Sequence, residues 1–144
     1  MLELFPKDQT NFSPSIPDGE VNYFPSFLST NEADILFAKL LATTPWQSDS
    51  ITVYGKTYNQ PRLTSLHAID ETPYSYSNIT MQPNPMTPVL RAILKKIETY
   101  SKHSFNAVLL NLYRDGKDSN GWHADNEKEL GKNPVIASIS LGQE

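Results

Sequence analysis

The sequence predicts an α+β fold. Two stretches repeat apolar residues at helical spacing, several short β-prone segments surround them, and a composition of 38% hydrophobic and 19% charged residues over 144 positions suits one globular domain.

Residues 1–20 hold three of the eleven prolines and no period, which predicts an irregular arm. Val21 to Leu28, rich in aromatics, reads as a strand leading into a turn. Ser29 and Glu32 then have the spacing of a capping box. Ala33, Leu36, Phe37, Leu40 and Leu41 follow as one buried helical face, and Thr43-Thr44-Pro45 ends the helix. Ile51 to Tyr54 and Lys56 to Tyr58 predict a hairpin about Gly55. Leu63 to Ala68 reads as a further strand, and Ile69 to Thr87, which has no period, as a loop carrying Tyr74 and Tyr76. Thr87 caps a second helix with Pro88 at its first position, where a missing N–H is harmless, and Leu90, Ile93, Leu94 and Ile97 form its apolar stripe. Phe105 to Tyr113 is a mostly apolar strand. Val135, Ala137, Ile139 and Leu141 alternate with smaller or polar residues as in a half-buried strand.

Composition excludes several classes. There are no cysteines, hence no disulfides, thiolate metal sites or cysteine nucleophiles. No apolar run approaches the ~20 residues of a membrane helix, and the first residues lack a secretory pattern. The expectation is an intracellular protein, cytoplasmic or nuclear, without a membrane partner. The net charge of −4 argues against bulk electrostatic coating of nucleic acid. Charge is uneven, however: residues 51–102 carry six basic and three acidic side chains, whereas residues 1–50 carry two and seven. A polyanion would lie along that middle third; the alternative is that Lys95, Lys96 and Lys102 are the solvated side of a helix.

The chemistry lies in the polar stretch Arg114 to Asn133, between two strand-like segments. In an extended backbone the side chains of His123 and Asp125, two positions apart, point the same way and can reach one metal ion. Imidazole and carboxylate suit Fe(II), and two histidines with one carboxylate make the facial triad of non-haem oxygenases. The spacing alone also fits an incidental ion pair on a surface loop.

Context sharpens the reading. Asn111-Leu112-Tyr113-Arg114-Asp115-Gly116, Asp118-Ser119, Gly121-Trp122-His123-Ala124-Asp125-Asn126-Glu127, Leu130-Gly131 and Pro134 to Gly142 closely resemble the AlkB family of Fe(II)- and 2-oxoglutarate-dependent dioxygenases, on its DNA-repair branch. The likeness extends more weakly upstream through Val53-Tyr54-Gly55-Lys56, Pro61-Arg62, Tyr74 to Ser77 and Pro88-Val89-Leu90.

The resemblance implies a double-stranded β-helix (a jelly roll) with N-terminal helices and a nucleotide-recognition lid. Residues 1–20 would be the arm and 21–144 the N-terminal part of the dioxygenase domain, with the lid at 50–85 and the start of the jelly roll at 105–144. His123 and Asp125 would bind Fe(II) and be catalytic, and Asn111 and Tyr113 would hydrogen-bond 2-oxoglutarate. An enzyme acting on a base edge must take the base out of the stack. Tyr76 and the His123 ring would sandwich that base, Tyr74 and Glu127 would contact its edge, and Tyr54 would fill the gap it leaves. Arg62 and Lys56 would suit phosphates. The bland alternatives are a core aromatic for Tyr113, core-covering aromatics for Tyr74 and Tyr76, and an ordinary exposed lysine for Lys56. Trp122 is expected to pack beside the ligand loop and Asp118 to accept turn N–H groups. The implied activity consumes 2-oxoglutarate and O₂ to remove alkyl groups such as those of 1-methyladenine and 3-methylcytosine from DNA, with RNA as the alternative substrate; the complete enzyme would be a monomer.

The family's third ligand, a later histidine, and the arginine that clamps 2-oxoglutarate have no match here; His67 and His103 fit neither position. The jelly roll is therefore expected to be incomplete at its C-terminal side, and the chain to be an N-terminal fragment, inactive alone. The alternatives are a metal-free nucleic-acid-binding module and a non-functional remnant.

Overall fold

The computed structural model describes residues 11–70, 74–76, 79–125 and 127–143. The chain divides into two compact units, one within Met1–Ala42 and Ser140–Glu144, the other Thr43–Ile139.

In the first unit, β1 (Ser15–Ile16) and β2 (Gly19–Glu20) form a minimal antiparallel hairpin. Pro17 pre-sets the first turn position, and Asp18, with φ of 54°, takes the left-handed second one, which Asp tolerates. This corrects the irregular reading of residues 15–20. The strand expected over 21–28 is also corrected: among the described residues an isolated bridge, not a strand, pairs Tyr23 with Phe12, their rings meeting edge-on at 5.2 Å.

Helix α1 (Thr30–Thr43) begins as its capping box predicts. The Ser29 N–H donates to Glu32 Oε2 at 2.8 Å, and the Glu32 N–H donates to Ser29 Oγ at 3.3 Å. Its expected buried face is only partly covered. Leu36 is buried and Ala33 and Leu40 are half-buried, but Phe37 and Leu41 stay exposed. Periodicity identifies the face that can be buried, not the element that covers it.

In the second unit, β3 (Ser50–Val53) and β4 (Lys56–Asn59) pair in register Val53 to Lys56. The two-residue turn has positive φ at both Tyr54 and Gly55, 49° and 76°, a type I′ geometry that matches strand twist. The centre of the unit is β5 (Leu63–Ala68), flanked by β8 (Asn84–Pro85) in parallel and β9 (Ala107–Leu112) in antiparallel. Thr64 through Ala68 of β5 are all buried. Between β5 and β8 the expected loop instead contains a hairpin of β6 (Tyr74–Tyr76) and β7 (Ile79–Met81), a correction. These three-residue strands are too short for a period to be legible.

Helix α2 (Pro88–Ser101) starts with the Thr87 hydroxyl accepting from the Leu90 N–H at 3.3 Å. Its stripe Leu90, Ile93, Leu94 and Ile97 lines a small apolar cavity with Phe105 and Val108. Replacing Thr87 by Ala should cost about 1 kcal/mol, read as a lower urea midpoint at constant slope.

The strand expected over Val135–Leu141 is not found. That segment has no hydrogen-bonded partner strand among the described residues, and Val135 and Ile136 are about half exposed. Alternation is local, whereas a ladder needs a second strand. The described residues form small sheets and two helices, with no closed barrel. None of their helices is long and apolar enough to cross a membrane.

Candidate metal and substrate site

The loop after β9 is built by its own carboxylates. Asp115 Oδ1 accepts the Lys117 N–H at 2.8 Å, an Asx turn, and the Asp115 carbonyl accepts the Asp118 N–H. Asp118 Oδ2 accepts the Arg114 backbone N–H at 2.9 Å and Nε–H at 2.7 Å, while Oδ1 accepts from Nη2 at 2.9 Å. This bidentate clamp fulfils the turn role expected of Asp118 and adds a charge partner the sequence did not reveal. The Arg114 side-chain and backbone bonds together hold the Asp118 carboxyl down at about 2, below the usual carboxylate range. A depressed carboxyl contributes stability above its unfolded value that is lost as pH falls through the folded one. The Arg114 amide resonance should therefore titrate near 2, not near the ordinary ~3.9 of Asp. Asp118→Asn should abolish that titration.

Two further bonds dock the loop on the β4–β5 connection. The Ser119 N–H donates to the Pro61 carbonyl at 2.8 Å. Arg62 Nη1 donates to Asn120 Oδ1, also at 2.8 Å. Arg62 is only 5% exposed. Its guanidinium is turned inward and anchors the loop. A cleft of about 280 Å³ lies between Gln60–Arg62 and Ser119–Gly121. Nothing in the sequence signalled Asn120; its partner is fifty-eight positions away.

His123 and Asp125 follow directly. His123 Nδ1 lies 2.9 Å from the Gly121 carbonyl oxygen, which can only accept, so the ring meets it with Nδ1–H. Nε2 faces Asp125 Oδ1 at 3.3 Å, and both side chains are about two-fifths exposed. Once deprotonated, Nε2 beside a carboxylate oxygen, both open to solvent, makes a donor pair that fits a ferrous ion. No third His, Asp or Glu joins them among the described residues.

The other expected residues are more dispersed. Asn111 is exposed on β9, paired across the ladder with Thr64. Tyr113, 46% exposed, lies just past the strand, which ends at Leu112. Tyr54 is fully exposed at its hairpin tip, and Lys56 beside it is exposed too. Glu127 is half-buried, its Oε2 without a hydrogen-bond partner among the described residues. The backbones of Tyr74 and Tyr76 lie in β6; their side chains fall outside the described residues. Trp122 does not pack beside the loop but is fully exposed, a correction. His67 is buried and engaged, Nδ1 with the Pro85 carbonyl at 2.9 Å and Nε2 with Ser65 Oγ at 3.1 Å, leaving no nitrogen for a metal.

A family model described as the 2OG-Fe(II) oxygenase superfamily matches residues 20–144. The chain belongs to that superfamily. Its relatives place this oxygenase chain with the AlkB homologues. It is 46% identical over 120 residues to human alpha-ketoglutarate-dependent dioxygenase alkB homolog 3, covering 83% of the chain and 41% of that protein. It is 33% identical over 114 residues to bovine DNA oxidative demethylase ALKBH2, covering 77% and 41%. The Arabidopsis thaliana protein named DNA oxidative demethylase ALKBH2 is 35% identical over 131 residues, covering 85% and 40%. The chain spans about two-fifths of the length of these relatives.

Proposed function

We propose that this oxygenase chain carries the iron-binding pair and the base-recognition lid of an oxidative demethylase acting on N-alkylated nucleobases, 1-methyladenine and 3-methylcytosine among them, in DNA or RNA. The reading is carried by His123, whose protonated Nδ1 is tied to the Gly121 carbonyl while Nε2 faces Asp125. Fe(II) with 2-oxoglutarate and O₂ supplies the oxidant that hydroxylates the N-alkyl carbon, after which the product releases an aldehyde.

The chain's own residues have separate tasks. His123 and Asp125 hold the metal. Asn111 of β9 and Tyr113 just past its end, two positions apart, hydrogen-bond 2-oxoglutarate. Tyr76 and the His123 ring hold the flipped base between flat surfaces, and Tyr74 and Glu127 meet its edge. Tyr54 stacks in the gap. Its position supports this role: a tyrosine holds φ of 49° where Asn, Asp or Gly is favoured, and does so with its ring wholly in solvent. With two donors and no third among the described residues, these 144 residues by themselves hold Fe(II) weakly and turn over no 2-oxoglutarate.

The test is a chimera in which these residues replace the matching 120 of human alkB homolog 3. It should release formaldehyde from a 1-methyladenine oligonucleotide, and its His123→Ala form should not. A folded chimera without turnover, or equal turnover by both forms, sinks the reading. Binding of unmodified single strands by the isolated chain that weakens with salt and with Tyr54→Ala, but ignores Fe(II), would favour a metal-free binding module instead.

A further inference from the structure

We infer that the cleft beside the metal loop holds the unmodified nucleobase next to the flipped one and that the Gln60 amide hydrogen-bonds its edge, an inference that rests on the demethylase reading above. The cleft, of about 280 Å³, has Gln60, Pro61 and Arg62 on one wall and Asn120 and Gly121 on the other, and Ile51 of β3 also lines it. Two bonds tie the walls together before any ligand arrives. The Ser119 N–H donates to the Pro61 carbonyl and Arg62 Nη1 to Asn120 Oδ1, each at 2.8 Å. The Gln60 backbone is fixed as well, its N–H donating to the Asp49 carbonyl at 2.8 Å. A recess formed in advance binds without the cost of ordering it.

Gln60 is the residue that calls for a ligand. It is 6% exposed, yet among the described residues its side-chain amide makes no hydrogen bond. Amides so nearly buried are normally paired, because an unmade bond there is costly. Neither its nitrogen nor its oxygen is sealed within protein, and Gln60 lines the cleft. The ligand must therefore offer an acceptor to the amide nitrogen and a donor to the amide oxygen, side by side. An anion fits poorly, since the guanidinium in the wall is turned inward and engaged with Asn120. An unpaired nucleobase carries adjacent donors and acceptors on its edge and is neutral. The volume, just under the ~300 Å³ at which ligand pockets begin, suits one ring system, and Ile51 and Pro61 supply apolar surface for it. Position selects which base. The Gly121 carbonyl in the far wall meets the His123 ring at 2.9 Å, and that ring is the surface proposed to hold the flipped base. The cleft thus lies beside that base, where the strand places its neighbour.

The experiment uses the chimera described above and single-stranded oligonucleotides carrying one 1-methyladenine, in which the base before it or the base after it is replaced by an abasic sugar. With the parent chimera, removing the base on one side should raise the oligonucleotide KM about tenfold at unchanged kcat, and removing the other should not. The contact is remote from the reacting carbon, so ground and transition states lose it equally. Gln60→Leu, close in size but without an amide, should raise KM for the intact oligonucleotide by a similar factor and be indifferent to either removal. The inference alone is overturned by an equal KM for all three oligonucleotides, by an equal loss on both sides, or by a Gln60→Leu form that keeps the one-sided loss. It is overturned too if Gln60→Leu raises the 2-oxoglutarate KM in place of the oligonucleotide KM, which would put the co-substrate in the cleft. If Gln60→Leu does not fold, Gln60→Met is judged by the same criteria, and the one-sided loss in the parent chimera is required in either case. A folded chimera that releases no formaldehyde overturns the demethylase reading and this inference with it.

Discussion

Replacing His123 by alanine should lower Mn(II) affinity, measured by paramagnetic broadening, by more than about a hundredfold, beyond what loss of an outer partner typically brings. The magnitude follows from the site's composition. Two donors face each other, Nε2 and Asp125 Oδ1 at 3.3 Å, and no third ligating side chain joins them among the described residues. Removing the imidazole leaves one solvent-exposed carboxylate, which competes poorly with water for a divalent ion. The fold should be untouched, because His123 is exposed and, among the described residues, its bonds run within its own loop and to Asp125. An unchanged amide spectrum with lost broadening is the expected pair of results. Retained broadening would place the ion elsewhere.

The second large effect concerns β5. Leu66→Ala should cost about 3 kcal/mol, within the range for emptying a buried leucine site. Leu66 is 3% exposed, lies in the middle of β5 and pairs across the ladder with Leu109. The β9 ladder on one side and the Asn84 amide bonded to the Leu66 carbonyl on the other hold the backbone, so the space left collapses little. For a domain with the usual 5–15 kcal/mol of stability this is a large fraction, visible as a lower urea midpoint by circular dichroism. Leu41→Ala on the exposed face of α1 is the internal control and should change the midpoint far less.

Much of the fold was legible where a local rule acts. The Ser29–Glu32 box, the Thr87 cap with Pro88, the turn at Gly55 and the bounds of Leu63–Ala68 all depend on neighbours in sequence, and the structure has each. Elements that depend on distant partners were not legible. The β1–β2 and β6–β7 strands are two and three residues long, too short to carry a period. Val135–Leu141 carries a clear period but has no paired strand among the described residues. The same division runs through the candidate site. The spacing of His123 and Asp125 can be read from two letters. The inward turn of Arg62, its bond to Asn120 and the Arg114 clamp on Asp118 arise only when separate segments meet.

The pairing of β5 has a consequence for synthesis. Its long antiparallel partner is β9, joined to it only after the whole stretch from Ala68 to Ala107, and its parallel partner β8 contributes two residues. As the polypeptide leaves the ribosome, the β3–β4 hairpin can close at once, but β5 must wait until Leu112 has emerged before its ladder is complete. During that interval the unpaired strand Leu63–Ala68 is an open template for other nascent chains. Slowing elongation between Ala68 and Leu112 should therefore raise the demand for a holding chaperone, whereas slowing it before Leu63 should not.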